Sequence, residues 1–181
     1  MNVETAQSQA RYFCLRGGTG AVTSGLVWLA AAIVASYYGL DKGFIVLFFG
    51  GMLIFPLSTV VDKFIFKRPS LVSGHPSGQI AIESIFPMIG MLFAAWLFLP
   101  LRPEFVFPLA AIAIGTRYFG FRTIYGDFSY WILGAAITLI GALSIIFKQP
   151  SSELVPFLVA IIEIVFGIWA VVSSIKNDKS A

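Results

Sequence analysis

The chain has 181 residues, of which 58% are hydrophobic and 12% are charged. Soluble domains carry about 25% charged residues, so this composition excludes a soluble globular protein. In a membrane protein the excess of basic residues, a formal net charge of +3, indicates contact with anionic lipid headgroups and no role in nucleic-acid binding.

The polar N-terminal segment, residues 1–18, precedes the apolar part of the chain. Within it, residues 4–16 predict a short interfacial helix, because alanine and aromatic residues share one side and polar residues the other. The glycine-rich RGGTG at 16–20 is expected to end this helix.

Six apolar stretches follow, and a helix that crosses a bilayer needs about 20 such residues. Alternating polar and apolar decads, typical of a membrane barrel, are absent from the sequence. We therefore predict an all-α integral membrane bundle of six transmembrane helices, a single domain at 19–175, and a cytoplasmic tail at 176–181. The spans are expected at 19–39, 43–61, 80–99, 105–120, 129–147 and 153–175.

The connections predict how these spans pair and which side they face. Short loops join spans one and two, three and four, and five and six, which indicates three helical hairpins. With both termini in the cytoplasm, nine of the 12 Lys and Arg residues fall on the cytoplasmic side. Cytoplasmic segments carry such an excess, so we expect a multi-pass protein of the bacterial inner membrane with both termini inside.

Small residues on one helix face let helix backbones approach closely in a membrane. They occur as Ala31/Ala35, Gly90/Ala94, Ala111/Gly115 and Gly134/Gly141. Packing within one chain is the preferred interpretation, and the seam of a homo-oligomer is the alternative.

Glu163 is the most unusual residue of the predicted spans, because it lies about ten residues from one end of the sixth span and twelve from the other. An ionised carboxylate at the bilayer centre costs about 2.5 kcal/mol or more and usually faces the protein interior or a wet cavity. Two interpretations remain: a proton, cation or ligand site, or a protonated Glu that is hydrogen-bonded to a neighbouring helix.

Glu83 and Arg117 lie about three residues inside the same end of two neighbouring spans, so antiparallel packing predicts an ion pair between them. This pair is either structural or a cytoplasmic gate. At 1.5 Å of rise per residue, we expect Arg117 to lie about 14 Å nearer the cytoplasm than Glu163, too far for direct contact.

The segment 117–131, RYFGFRTIYGDFSYW, mixes arginine with aromatic residues. Such a mixture at a membrane face is typical of an interfacial aromatic belt. The alternative is a pocket for an anionic headgroup or a phosphorylated ligand. Its candidate contacts are Arg117, Arg122, Tyr118 and Tyr125.

No residue pattern predicts catalysis, a metal or a cofactor. His75 is the single histidine and has no neighbouring metal ligand, so we expect a role in a turn. A catalytic arrangement with Ser73 or Ser77 has no support in the spacing. Cys14 is the single cysteine, which excludes an intrachain disulfide, and a plain small residue is preferred to a reactive thiol.

Two parts of the sequence resemble known families. SGLVWLAAAIVA followed by GFIVLFFGGMLIFPL, within 24–57, resembles a family of small bacterial polytopic membrane proteins known as a domain of unknown function. The last hairpin, WILGAAITLIGALSIIF through FGIWAVVSS, is similar in rhythm to bacterial acid-resistance membrane proteins built of three hairpins. Neither resemblance implies particular site residues.

Three functions are compatible with this sequence. The first is a small-solute or ion transporter or channel-like protein with Glu163 as its protonatable centre. The second is a non-catalytic membrane component in stress response or partner binding. The third, a lipid-acting enzyme, is the least favoured, because no polar cluster lies at one interface. The expected surroundings are the lipid bilayer and, as an option, further copies of the chain; the sequence names no small-molecule ligand.

Overall fold

The computed structural model describes residues 2–69, 71–72 and 74–178, the last without its side chain. Over these residues the chain is helical and contains no strand, which confirms the all-α fold class. Ser73 and the end of the predicted tail, 179–181, lie outside the described residues.

Eight α-helices follow one another along the described part of the chain. A π-helical turn at Val61–Ile65 extends the third helix, and short 3-10 turns precede the second and sixth. The helices are α1 (Val3–Phe13), α2 (Gly18–Tyr38), α3 (Leu40–Val60), α4 (Pro76–Glu83), α5 (Ile85–Phe98), α6 (Val106–Tyr125), α7 (Ser129–Phe147) and α8 (Val155–Asp178).

Five helical segments of the described chain are long and apolar enough to cross a membrane, as expected for a multi-pass membrane protein. They are Leu15–Tyr38, Leu40–Ile65, Pro76–Phe98, Ser129–Phe147 and Val155–Asn177. The remaining predicted span, 105–120, corresponds to α6, which is not among them. Half of the 20 residues of α6 are buried, and it contacts α5 on one side and α7 on the other. Because other helices surround it, α6 can carry polar residues that lipid-facing helices exclude.

The helices pair differently from three separate hairpins. α2 packs along α3, as predicted for the first hairpin, and α5 packs on α6. By contrast, α7 and α8 touch over a short stretch, whereas α8 packs along α2 and α7 packs along α6.

Glycine-to-backbone contacts explain these pairings. A Cβ atom added to Gly18 of α2 would lie 2.6 Å from the carbonyl oxygen of Gly167 in α8. Between α6 and α7, a Cβ atom on Gly134 would lie 2.7 Å from the carbonyl oxygen of Gly115. Backbones that approach this closely gain dispersion contacts along the whole seam, which is the main attraction between helices in lipid.

The predicted small-residue pairs divide between the interior and the surface. The pairs in spans one, four and five are buried within the bundle, which supports packing inside one chain. Gly90 and Ala94 are exposed on α5, and nothing lies within 4 Å of a Cβ atom added to Gly90.

The third predicted span is interrupted at Ser84, between α4 and α5. Pro87 lies three residues later; it has no N–H, and its ring would clash with the carbonyl group of Glu83 in a regular helix. The Ser84 hydroxyl donates a hydrogen bond to the Ala81 carbonyl oxygen at 2.7 Å. The break leaves this hydroxyl oxygen able to accept a second hydrogen bond from α6.

The helix α1 lies across one end of the bundle, which we call the α1 end: it comprises α1, the last turn of α6 and the first turns of α2 and α7. Arg11 donates to the Tyr125 carbonyl oxygen at 2.6 Å, and Gln7 donates to the Thr123 carbonyl oxygen at 3.0 Å. These bonds satisfy carbonyl groups that the end of α6 leaves free, and the positive charge complements the helix dipole. The predicted break at RGGTG is present as a 3-10 turn at Leu15–Gly17.

We predict that Gly167→Ala destabilises the protein by about 1–3 kcal/mol, because its new Cβ atom overpacks a tight helix seam. That atom would lie 2.7 Å from both the Gly18 carbonyl oxygen and the Val22 nitrogen. Thermal unfolding in detergent measures the loss. Gly90→Ala is the matched control and should leave stability unchanged or slightly raised. Equal losses in the two variants would contradict the close approach of α2 and α8.

Candidate functional site

Glu163 of α8 is fully buried, with 0% of its surface exposed. Its Oε1 atom accepts a hydrogen bond from the Tyr118 hydroxyl of α6 at 2.8 Å. Its Oε2 atom is buried and has no hydrogen-bond partner within the described chain. The buried Ser24 hydroxyl of α2 is a further polar neighbour of the carboxyl group. Glu163 therefore lies where α2, α6 and α8 meet, away from lipid.

The partners of Glu163 give its position along the bundle. Its partner Tyr118 lies seven residues before the end of α6, and Ser24 lies six residues after the start of α2. At 1.5 Å per residue, the carboxyl group is about 10 Å from the α1 end, and its position at the bilayer midplane stays a prediction.

The helix α8 is displaced along α2. Gly167 of α8 packs against Gly18, the first residue of α2, so residues 168–178 extend beyond the start of α2. Counting residues from the ends of the sixth span assumes that all helices begin and end at one level, and α8 does not meet this assumption.

Arg117 is adjacent along the chain to Tyr118, whose hydroxyl group bonds to Glu163. The separation of Arg117 and Glu163 along the bundle axis, expected to be about 14 Å, stays a prediction.

The predicted ion pair between Glu83 and Arg117 is not present in the described structure. Glu83 is exposed, whereas the Arg117 guanidinium group turns towards α5. Its Nε atom donates to the Ser84 hydroxyl at 3.1 Å, and its Nη1 atom lies 3.8 Å from the Met88 sulfur atom. The helix break at Ser84 provides the acceptor that the sequence prediction assigned to Glu83.

The described site belongs to a sequence family that extends over nearly the whole chain. Residues 3–173 match the model of DUF7010, a family of unknown function. The chain belongs to the DUF7010 family. No curated protein and no solved structure matches the chain. The match confirms the predicted membership of an uncharacterised family, and the matched region includes Ser24, Tyr118 and Glu163.

In this DUF7010 member the four side chains that the sequence predicts as headgroup contacts differ in how deeply they are buried. Tyr118 and Tyr125 are 6% and 8% exposed, so they face the bundle interior and not the lipid headgroups. Arg117 is partly buried against α5. Arg122 is exposed, and its guanidinium group lies 4.7 Å from the centroid of the Trp131 ring, as in an interfacial belt.

Three stacked tyrosines connect the Glu163 site to the α1 end. The Tyr130 ring stacks on Tyr118 and on Tyr125, with centroid distances of 6.1 Å and 5.2 Å. The Tyr130 hydroxyl donates a hydrogen bond to the Arg16 carbonyl oxygen.

The sequence does not predict Tyr130 and Ser24 as neighbours of this site. A usable signal was the seven-residue spacing of Tyr118 and Tyr125, which places both on one face of α6.

An ion pair between Arg16 and Asp127 lies at the α1 end. The Asp127 Oδ1 atom also accepts from the Ser129 N–H at 3.0 Å and the Ser129 hydroxyl at 2.7 Å, so it satisfies the first backbone N–H of α7. Partial burial raises the pKa of Asp127, but hydrogen bonds from Arg16 and Ser129 outweigh it and hold this pKa below its ordinary value. Asp127 is therefore ionised at neutral pH.

Cys14 lies beside this end of the bundle and is a poor nucleophile. Burial and the negative charge of Asp62 raise the pKa of the Cys14 thiol to about 12, and a hydrogen bond with Tyr125 offsets part of the effect. Because the thiolate is the reactive form, the structure favours the plain small residue over the reactive thiol.

His75 joins α1 to α4. Its Nδ1 atom accepts a hydrogen bond from the Ser77 N–H at 3.2 Å, and its Nε2 atom lies 3.2 Å from the Gln9 Oε1 atom. With Nδ1 as acceptor and Nε2 as donor, the neutral ring satisfies both contacts. This is the predicted role in a turn, as the cap of a helix start.

We predict that Asp127→Asn removes a pH-dependent part of the stability. Because the folded pKa of Asp127 is depressed, its contribution is present above its unfolded pKa of about 3.9 and is lost as pH falls through the folded value. Thermal midpoints at pH 7 should be lower in Asp127→Asn than in the native chain, and the difference should shrink towards pH 3. Asp41→Asn is the control, because its ion pair with Lys42 is exposed. A constant difference at all pH values would contradict this role of Asp127.

Proposed function

We propose that this protein is a six-span protein of the cytoplasmic membrane, with both termini inside, and that it acts as a small-solute or ion transporter or channel-like protein. Glu163 is its proton-binding group. Tyr118 orients the carboxyl group, and Arg117 tunes its charge from the side of α5. This proposal requires no cofactor and no metal.

The buried carboxyl group of Glu163 carries the proposal, because its Oε2 atom has no hydrogen-bond partner by distance in the described chain and the Ser24 hydroxyl lies nearby. Oε1 already accepts the Tyr118 hydrogen bond, so Oε2 is the atom that can take up or release a proton. A carboxyl group inside a membrane bundle is costly and marks proton or ion pathways in transporters. The stacked tyrosines between Glu163 and the α1 end supply hydroxyl groups on one side of the site.

The packing of α6 supports a sixth span. A Cβ atom on Gly115 would lie 2.9 Å from the Gly134 carbonyl oxygen, and one on Gly141 would lie 2.9 Å from the Ile112 side chain. These contacts occur at two levels of one seam, so α6 runs alongside α7. Since α7 meets the length and hydropathy expected of a membrane span, a helix that follows it lies at the same depth. The excess of Lys and Arg on this side supports a cytoplasmic position of the α1 end.

A non-catalytic membrane component is the second candidate, and the Glu163–Tyr118 hydrogen bond itself favours it. The bond joins α8 to α6, and hydrogen bonds between membrane helices contribute about 0.6 kcal/mol on average. In this alternative the carboxyl group stays protonated and only stabilises the bundle. The segments Leu40–Ile65 and Pro76–Phe98 are apolar and mostly exposed, and their surfaces would then face lipid, a partner protein or a second copy.

We predict that Glu163→Gln abolishes proton flux in liposomes while the protein remains folded. Glutamine has the size of glutamate, and its amide oxygen can still accept the hydrogen bond from Tyr118. Its amide group cannot take up or release a proton near neutral pH. Tyr118→Phe should retain flux with an altered pH profile, because it removes the hydrogen bond to Oε1. Glu153→Gln is the matched control, since Glu153 is exposed just before α8.

Thermal unfolding of each variant verifies folding. Flux through the native chain that equals that of empty liposomes, together with a Glu163→Gln effect on stability alone, would contradict proton transport. That result would support the non-catalytic component.

We predict that Lys42 and Lys148 lie on the same side of the membrane. In a Cys14→Ser background, a membrane-impermeant maleimide added outside intact cells should label both Lys42→Cys and Lys148→Cys. Asn177→Cys should react only after permeabilisation. If α6 does not cross the membrane, the chain crosses it one time fewer between residues 42 and 148. The two positions then lie on opposite sides, and only one of the two cysteine variants is labelled in intact cells.

A further inference from the structure

An apolar groove runs between α7 and α8, where these helices separate. Its volume is about 540 Å³, and the residues that line it include Ser129, Ile132, Ala136, Ile161, Val165 and Trp169. Both helices meet the length and hydropathy expected of membrane spans, and Ile132, Ile161 and Val165 are exposed on the outside of the bundle. In a bilayer this groove therefore opens to lipid.

The dimensions of the groove fit part of one hydrocarbon chain. It extends from Ser129 to Ala136 on α7 and from Trp169 to Ile161 on α8. Seven to eight residues at 1.5 Å each correspond to about 11 Å along the bilayer normal. The walls of the groove are apolar except at the α1 end, where Ser129 lies.

A polar mouth lies at that end, at the level where lipid phosphates are found if the α1 end faces the membrane surface. The Arg16 guanidinium group lies 5.1 Å from the centroid of the Trp169 ring, and Asp127 bonds to Ser129. Arg16 uses Nη2 for its ion pair with Asp127, and its side chain remains 16% exposed. Tryptophan beside arginine at the end of an apolar groove is the arrangement expected for an interfacial lipid contact.

We propose that this groove binds one acyl chain of an anionic phospholipid, whose phosphate group contacts Arg16 beside Trp169. Arginine presents several N–H donors, so one can serve Asp127 while another serves a phosphate oxygen. The basic residues Arg11 and Arg122 at the same end favour an anionic over a zwitterionic headgroup. The bound chain fills the gap between α7 and α8 and so completes their packing.

This proposal does not depend on proton transport by Glu163. A lipid that binds the folded protein stabilises it by mass action. We therefore expect added phosphatidylglycerol to raise the thermal midpoint of delipidated protein more than phosphatidylethanolamine with the same acyl chains.

Native mass spectrometry of the delipidated full-length protein in detergent tests the site directly. Dioleoyl phosphatidylglycerol should bind at least fivefold more tightly than dioleoyl phosphatidylethanolamine. Ile161→Trp, which fills the groove from its exposed edge, should weaken binding of both lipids at least fivefold, and so should Ala136→Phe. Ala94→Phe on the exposed face of α5 is the matched control and should bind as the native chain does.

Arg16→Lys separates the headgroup contact from the acyl contact. Lysine keeps a positive charge for the ion pair with Asp127 but lacks the several N–H donors of the guanidinium group. Phosphatidylglycerol binding should therefore fall to the level of phosphatidylethanolamine binding, while the folded fraction stays unchanged.

Unaltered lipid binding in both groove-filling variants would overturn the proposal. Equal binding of the two lipids by the native chain would overturn the anionic headgroup. A dimer that disappears in Ile161→Trp, without lipid adducts, would assign the groove to a second copy.

Discussion

The direct backbone contact between α2 and α8 is the constraint on which the rest of the structure depends. Gly18 and Gly167 allow these helices to approach until main-chain atoms touch, and this contact fixes how far α8 is displaced along the bundle. The displacement brings Glu163 level with Tyr118 and Ser24. Any side chain at the glycine positions would separate the helices and remove the register that assembles the site.

Much of the fold could be predicted from the sequence, because hydropathy depends on each segment by itself. The positions of α2, α3, α7 and α8 follow the apolar stretches, and the glycine run marks the break before α2. The relative depth of the helices could not be predicted in this way. An apolar stretch indicates that a helix lies in the membrane. It does not indicate which neighbouring helix it packs on or how far it is shifted along that helix.

The same limit explains which parts of the candidate site were missed. Glu163 stands out in the sequence because a buried carboxylate is costly, whereas its partners Tyr118 and Ser24 are ordinary residues of membrane helices. Counting from the ends of the predicted spans puts Arg117 and Glu83 at one level and so predicts an ion pair between them. The break at Ser84 instead provides a hydroxyl group closer to the guanidinium group, and Glu83 remains exposed.

The turn at Leu15–Gly17 links the polar site and the lipid-facing groove. Leu15 and Arg16 have φ angles of 45° and 55°, values that cost non-glycine residues about 1 kcal/mol or more each. Such a backbone persists only where surrounding contacts determine it, and here Tyr130 holds the Arg16 carbonyl while Asp127 holds its side chain. The same arginine therefore anchors the middle ring of the tyrosine stack through its backbone and presents its guanidinium group beside Trp169. A lipid phosphate that binds Arg16 beside Asp127 would act on the residue that also holds Tyr130, so lipid at the groove and the polar environment of Glu163 are expected to be energetically coupled.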